Sequence, residues 1–442
     1  MKQLFLLILL AISTTCVRSQ TSWLNAGFSI DLYARVMYND TIDDLFYIGG
    51  NLTQVNGVYC RGMFTYSNTG VQVLDTLNNV SFPTLAITRY QNEIYVGGFV
   101  GVFRYRNNAW DSVIVDQNSV FTSFYNIEDT LLIGGGIDNL YGFSNRGVVK
   151  YSNGSFSAFK GLKSQLSLTP SIDVIVPYKD QLVLGGNIDT TITKEILSWN
   201  GQSWNKFNGG IPGSGSEWVN DMVVFQGDLY VGGAFTKAGG AKADHIMRWD
   251  GQDWHQLGNG INGLSVDDMI IYDGKLWVSG IIFKAGSMDV NFICAWDGEK
   301  WCKPQGDFDC PIGSMGIYHD TLFVSGCFKD LNGDPTMDYI AKYNPSKSLT
   351  CDTVLGISNN DQEVQTLRLY PNPADELLII ESSMDLKSAE IKVFNTFGQE
   401  IVFKSVLIGD GLSIDISSLE NGTYFVMVSK DETRTSSRFI KR

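Results

Sequence analysis

A strand-closing glycine motif recurs seven times in this chain, and its period leaves few folds open. The copies read DLFYIGG (44–50), EIYVGG (93–98), TLLIGG (130–135), QLVLGG (181–186), DLYVGG (228–233), KLWVSG (275–280) and TLFVSG (321–326). Their last glycines are Gly50, Gly98, Gly135, Gly186, Gly233, Gly280 and Gly326, spaced 48, 37, 51, 47, 47 and 46 residues apart. A period in the forties is the length of one four-stranded propeller blade. Glycine at the end of such a strand permits positive φ and close approach of neighbouring backbone.

The units parse further. In the sixth, 266–274, 275–280, 292–298 and 300–306 are four short segments rich in β-branched or aromatic residues and bounded by turn formers. The tripeptides WNG (199–201) and WDG (249–251, 296–298) are expected as tight turns between third and fourth strands. The tryptophan pairs around them are Trp199/Trp204, Trp249/Trp254 and Trp296/Trp301, read first as packing between units and second as a sugar-stacking platform. The seventh unit has three strands, near 312–319, 321–326 and 339–344, then NPSKSLT. Its missing fourth strand is matched by SWLNAGFS (22–29) at the other end of the chain. The expectation is an all-β fold, a seven-bladed β-propeller velcro-closed by the N-terminal strand. Closure hides both sheet edges, which a solenoid would have to cap separately.

These residues resemble kelch-type propellers in the double glycine followed by an aromatic and a tryptophan. VGGAFTKAGG…IMRWDG…W…LGNG resembles still more closely the repeats of Rax2-type cell-surface propellers. The resemblance covers about 22–350 and is most regular in units four to six. It implies a fold and an extracellular habit, with little about chemistry.

Composition agrees with an exported repeat protein. The chain has 442 residues, 46 glycines and a 12% aromatic share, with only 18% charged residues. The net charge of −14 argues against a nucleic-acid partner. Lys2 followed by the apolar run Leu4–Ile12 fits a signal peptide, with cleavage expected before Gln20. Cys16 raises a lipoprotein alternative, which Thr15 weakens. No later stretch reaches membrane-spanning length. Six further cysteines (Cys60, Cys294, Cys302, Cys310, Cys327 and Cys351) permit disulfides in an exported chain, and Cys302 with Cys310 is a plausible local pair. No C-x-x-C spacing for zinc occurs.

After a polar connection the pattern changes. Seven candidate strands follow, at 367–374, 376–382, 389–398, 400–405, 412–417, 423–430 and 437–442, alternating as in a small Ig-like β-sandwich. Pro371 and Pro373 suit an edge or first strand, and Asn421-Gly422 reads as a hairpin turn. Tyr370-Pro371-Asn372-Pro373, the F-N-T-F-G-Q turn containing Gly398, the segment with Asn421, Gly422 and Tyr424, and the basic end Lys441-Arg442 closely resemble the type A sorting domain of the type IX secretion system. That resemblance implies export across the outer membrane of Bacteroidetes-type bacteria, type IX machinery as partner, and a cargo released or tethered at the cell surface. The expected division is signal peptide 1–19, propeller 20–350, linker 351–365 and sorting domain 366–442.

Catalytic signals are sparse. His245, His255 and His319 scatter over a loop end, an outer strand and an inner-strand end, and are read as isolated surface histidines. Gly213-Ser214-Gly215-Ser216 imitates a nucleophile elbow only superficially. The two histidines and crosslinked tyrosine of the galactose-oxidase copper site have no counterpart, and no cofactor is expected. Asp330, Asn332 and Asp334 alternate as calcium ligands do, although Pro335 stands where a calcium loop wants glycine. The expected function is a non-enzymatic glycan- or protein-binding surface module, with a secreted hydrolase, lyase or oxidase as the alternative. Its site is expected on the face made by 51–59, 187–194, 234–244, 281–291, 327–338 and the loops between units.

Overall fold

The computed structural model describes residues 21–442 except 75–82, 138–139, 141–146, 160–169, 190–193, 208–209, 212–216, 240, 335, 353–366, 383–384, 396–398, 409–410 and 431–432. The expected signal peptide, the Gly213–Ser216 segment and Gly398 lie outside the described residues. Among the described residues the chain is all-β, relieved by the 3-10 turn Leu331–Gly333.

Each repeat unit forms four antiparallel strands in sequential order. In unit five they are Trp218–Phe225, Asp228–Ala234, Ile246–Trp249 and Trp254–His255. The sheets of units three and four join through the pair Gly136–Ser171. In unit seven, Ile312–Tyr318, Thr321–Gly326 and Ile340–Tyr343 are completed by Trp23–Asn25, in antiparallel register Trp23 to Tyr343 and Asn25 to Ala341. Trp23 is fully buried among Trp277, Phe308 and Tyr343, with ring centroids 6.4, 5.0 and 5.4 Å away. A buried indole of this kind supplies the apolar area that a three-residue strand otherwise lacks.

First strands pack one against the next along the chain, and Ala34–Asp40 of unit one packs against Ile312–Tyr318 of unit seven. That last contact is bonded as well as packed. Ser325 Oγ accepts from Ala34 N at 2.8 Å and donates to Tyr339 O at 2.6 Å. Ser314 Oγ donates to Ala34 O, and Phe46 stacks on Tyr318 at 5.5 Å. The turns between third and fourth strands follow the expected tight geometry. Asn200, Asp250 and Asp297 each accept two backbone N–H bonds from the residues two and three positions on. Each tryptophan pair is a cross-strand contact, with centroids 4.9, 5.1 and 5.0 Å apart. Trp249 also meets Phe207 of the preceding unit, and Trp301 Nε1 donates to Leu257 O. The pairs therefore pack between units, as the first reading held.

Two expectations about pairing need correction. The disulfides are Cys302–Cys351 and Cys310–Cys327, not Cys302–Cys310. Cys302 lies on an outer strand whose neighbour is Thr350–Cys351, a fifth strand of unit six. Cys60 and Cys294 are free and buried, and burial raises both thiols, Cys60 to about 11. Asn421-Gly422 does not turn a hairpin. Gly422 opens Gly422–Lys430 in one sheet, whereas the preceding strand Gly411–Asp415 belongs to another.

Among the described residues the C-terminal region has eight strands rather than seven, in two four-stranded sheets. One sheet contributes Leu378, Ile380, Leu412 and Ile414, and the other Val393, Val426, Val428 and Phe439, to a shared apolar core.

Candidate binding cavity

The double glycines do more than tighten turns. In every unit the first strand slips register by one residue opposite them. Ala34 faces Gly50 and Val36 faces Gly49, so Arg35 is left unpaired. The same β-bulge leaves out Leu85, Thr122, Asp173, Asn220, Asp267 and Gly313. The last glycine is needed for this. A Cβ on Gly135 would lie 1.9 Å from Val120 O, and one on Gly186 would lie 2.1 Å from Ser171 O, with φ of +151° and +154°. The first strand's carbonyl thus occupies the space a side chain would fill.

All seven bulged residues line one cavity of about 430 Å³. Tyr33, Phe99, Val120, Trp218, Ser265 and Phe425 are among the rest of its lining. The volume is within the range of about 300–1,000 Å³ usual for small-molecule sites. The cavity lies where first strands begin and second strands end, and among the described residues none of the loops 51–59, 187–194, 234–244, 281–291 and 327–338 lines it. The individual bulge residues carried no recognisable signal in the sequence. Once the second strands are paired with the first, each can be read as the residue that follows the partner of the motif's last glycine.

The polar groups are arranged in two matching sets. Asp173 Oδ1 accepts from Ser171 Oγ at 2.6 Å and from Thr122 Oγ1 of unit three at 3.1 Å. Asp267 Oδ1 accepts from Ser265 Oγ at 2.6 Å and from Asn220 Nδ2 of unit five at 3.2 Å. Thr122 and Asn220 also donate to the carbonyls of Ile172 and Val266 in the following unit. Next along the strands, Asp221 Oδ2 accepts from Met269 N of unit six at 2.7 Å, and Asp268 Oδ2 accepts from Met315 N of unit seven. Burial pushes all four carboxyls up: Asp267 and Asp268 to about 6, Asp173 and Asp221 in the same direction. At Asp221 the neighbouring Asp268 charge adds to the effect of burial.

The histidines do not converge on this cavity. His255 Nε2 bonds Asp250 Oδ2 at 2.7 Å, and His319 Nε2 bonds Asp44 Oδ1 at 2.6 Å, both partly exposed. His245 is not a surface residue in its chemistry. Its Nδ1 is buried without a hydrogen-bond partner, and burial lowers its pKa to about 4. Around the calcium candidate, Asp330 has φ of +46° and Asp334 Oδ1 already accepts from Thr336 N and Oγ1. The side chain of Asn332 lies outside the described residues. Among the described residues, the one cluster of acidic, thiol or imidazole groups at ligand spacing is Asp297, Cys302 and Cys351, whose sulfurs are bonded to each other.

The C-terminal signature residues are brought together differently. Asn372 Nδ2 donates to Arg438 O, and Asn372 Oδ1 accepts from Ile440 N, each at 2.9 Å. Ala374 N donates to Ile440 O, and Arg442 N donates to Ala374 O. The Tyr370–Pro373 segment, with cis bonds before Pro371 and Pro373, is thus tied to the terminal strand that ends at Lys441-Arg442. Tyr370 Oη donates to Glu381, and the neighbouring carboxylate raises its pKa. Tyr424 is buried, stacks on Phe439 at 5.5 Å and donates to Glu420 O. Asn421 is exposed in the turn that precedes it.

This segment matches the family described as secretion system C-terminal sorting domain over residues 368–442. Residues 368–442 are a type IX sorting domain. By that signal the protein is secreted or displayed at the cell surface through the type IX pathway. No helix among the described residues is long and apolar enough to cross a membrane. No curated protein matches the chain. Among solved structures it is similar to the extracellular domain of the putative one component system BT4673 from B. thetaiotaomicron, at 11% identity and a TM-score of 0.47, over 96% of this chain and 59% of that one. PorZ, described as an essential surface component of the type IX secretion system of Porphyromonas gingivalis, matches at 12% and 0.46, over 93% and 60%. The chain spans about three-fifths of the length of these two. The β-propeller domain of the Trilobed protease from Pyrococcus furiosus matches at 13% and 0.44, over 77% and 99%.

Proposed function

We propose that residues 20–350 form a seven-bladed β-propeller of the kelch and Rax2 type, velcro-closed by Trp23–Asn25. The sorting domain ahead of which it sits is then an Ig-like sandwich reached through a short linker ending near 365. The propeller is a binding module that takes a small polyhydroxylated ligand, such as a glycan end, in the cavity its bulges enclose. The observation that carries this reading is the sevenfold bulge: one backbone device brings one residue from each of seven units to one space. Tyr33, Phe99 and Trp218 offer ring faces for sugar stacking, while Asp173, Asn220, Asp267 and Thr122 offer hydrogen-bonding groups beside them.

A second reading has its own support. Asp173 and Asp267 line the same cavity with raised pKa values, and such carboxyls are what a hydrolase or lyase needs as acid or base. Each, however, is already held by a hydroxyl on its own strand and a donor from the preceding unit. That commitment favours a positioning role over proton transfer. The deciding experiment is a glycan microarray probed with the exported protein, followed by product analysis of every bound glycan. Retention of one intact glycan class, weakened about tenfold or more by Trp218→Ala, is the expected result. Appearance of cleaved or unsaturated product would favour the enzyme. Failure to bind any glycan, in the intact chain and also after its sorting domain is cut away, would overturn the ligand class.

A further inference from the structure

The strand Gly422–Lys430 of the sorting domain is apolar on both faces, which a free-standing two-sheet domain does not require. Tyr424, Val426 and Val428 point into the domain's own core. Phe425 and Met427 point the other way, joined by Phe394 on the paired strand Glu390–Asn395. All three are buried, at 4%, 5% and 0% exposure, in a cluster with Leu264, Phe283, Phe292, Phe308, Ile312 and Phe328 of units six and seven. An apolar patch of this kind needs a partner surface, and here its occupant is on the same chain. Phe425 is also the one residue from beyond unit seven that lines the cavity among the described residues.

We infer that the sorting domain is a plug: seated on units six and seven, it holds Phe425 over the cavity mouth, so the site opens only when the domain is displaced or removed. The role of the cavity as a ligand site rests on the function proposed above, whereas the closure itself is a matter of access alone. Export and binding are thereby coupled, because the domain that directs secretion also withholds the site.

A thiol probe separates the two ideas because it needs no ligand. Leu85→Cys places a thiol in the cavity, and Cys60 and Cys294 are both buried. Reaction with a water-soluble maleimide is followed in the full chain, in the same chain carrying Phe425→Ala, and after cutting at a specific protease site inserted between Asp352 and Leu367. Labelling is expected to be slow in the intact chain and about tenfold faster or more in both altered forms, as for a site exposed by local opening. Circular dichroism confirms that Phe425→Ala leaves the sheets intact, and the cut form serves as the second route should it not. Equal, fast labelling in all three overturns the plug while leaving the ligand assignment standing. A plug that opens as expected onto a cavity that then binds no glycan overturns the ligand reading instead.

Discussion

Units four to six and units seven, one and two build the same bulge and do opposite things with it. In the first group the bulged residues are Asp173, Asn220 and Asp267, backed by Asp221 and Asp268, and their carboxyls and amide tie each unit to its neighbour. In the second they are Gly313, Arg35 and Leu85, and the ties lie away from the bulge: the hydroxyls of Ser325 and Ser314 around Ala34 join units seven and one, and Arg89 donating to Asp40 joins units one and two. Backbone geometry is therefore common property of the repeat, while polarity is local. The side chains that give the cavity its polarity stand at positions where the units differ, on a frame set by positions where they agree.

The largest effect should come from attacking the shared frame. Gly135→Ala drives a Cβ into Val120 O at a φ of +151° and is expected to cost about 3–5 kcal/mol. Its neighbour Gly136 has nothing within 4 Å of the same Cβ, so Gly136→Ala should stay within about 0.5 kcal/mol. Paired thermal melts of the two variants measure the contrast. A similar loss, about 3–5 kcal/mol, is expected for Trp23→Ala, since it empties the buried indole site joining the first described strand to unit seven. Limited proteolysis should then cut first near residues 22–29.

The acidic half predicts a pH dependence of intermediate size. Carboxyls whose folded pKa is raised contribute stability that is complete below the unfolded value near 3.8 and is lost as pH climbs through the folded value, about 6 for Asp267 and Asp268. Acidification from pH 7.5 to pH 5 should therefore raise the melting temperature. Asp267→Asn, which mimics the neutral acid, should raise the melting temperature at pH 7.5 and flatten the profile. A profile unchanged by that substitution would remove the burial argument. The smallest effect belongs to the exposed ion pair Arg106–Asp111, where Asp111→Asn should shift stability by less than about 1 kcal/mol.

Much of this architecture was legible because the repeat is a spacing signal. The glycines mark second strands, the WDG and WNG turns mark the third-to-fourth hairpins, and SWLNAGFS was recognisable as a displaced fourth strand. What the sequence hid were relations across units. Asp173 and Asp267 look like ordinary strand-start acids until the bulge turns them inward. Cys302 pairs with Cys351 because an extra strand returns to unit six, a contact no local spacing announces. His245 resembled a loop histidine until packing buried its Nδ1 without a partner. The sorting domain's second apolar face stands in the sequence as the unbroken run Tyr424–Val428, but nothing in that run says which surface it meets.

A cysteine scan of the bulges tests the central claim most directly, in the chain carrying Phe425→Ala so that the cavity is open. Cysteines at 35, 85, 122, 173, 220, 267 and 313 should all react with maleimide. Cysteines at the buried preceding positions Thr84, Phe121, Ile172, Val219, Val266 and Ile312, which do not line the cavity, should remain silent. Labelling of those neighbours at the rate of the bulge positions, or reaction at only a scattered few of the seven, would contradict a single cavity enclosed by all the units.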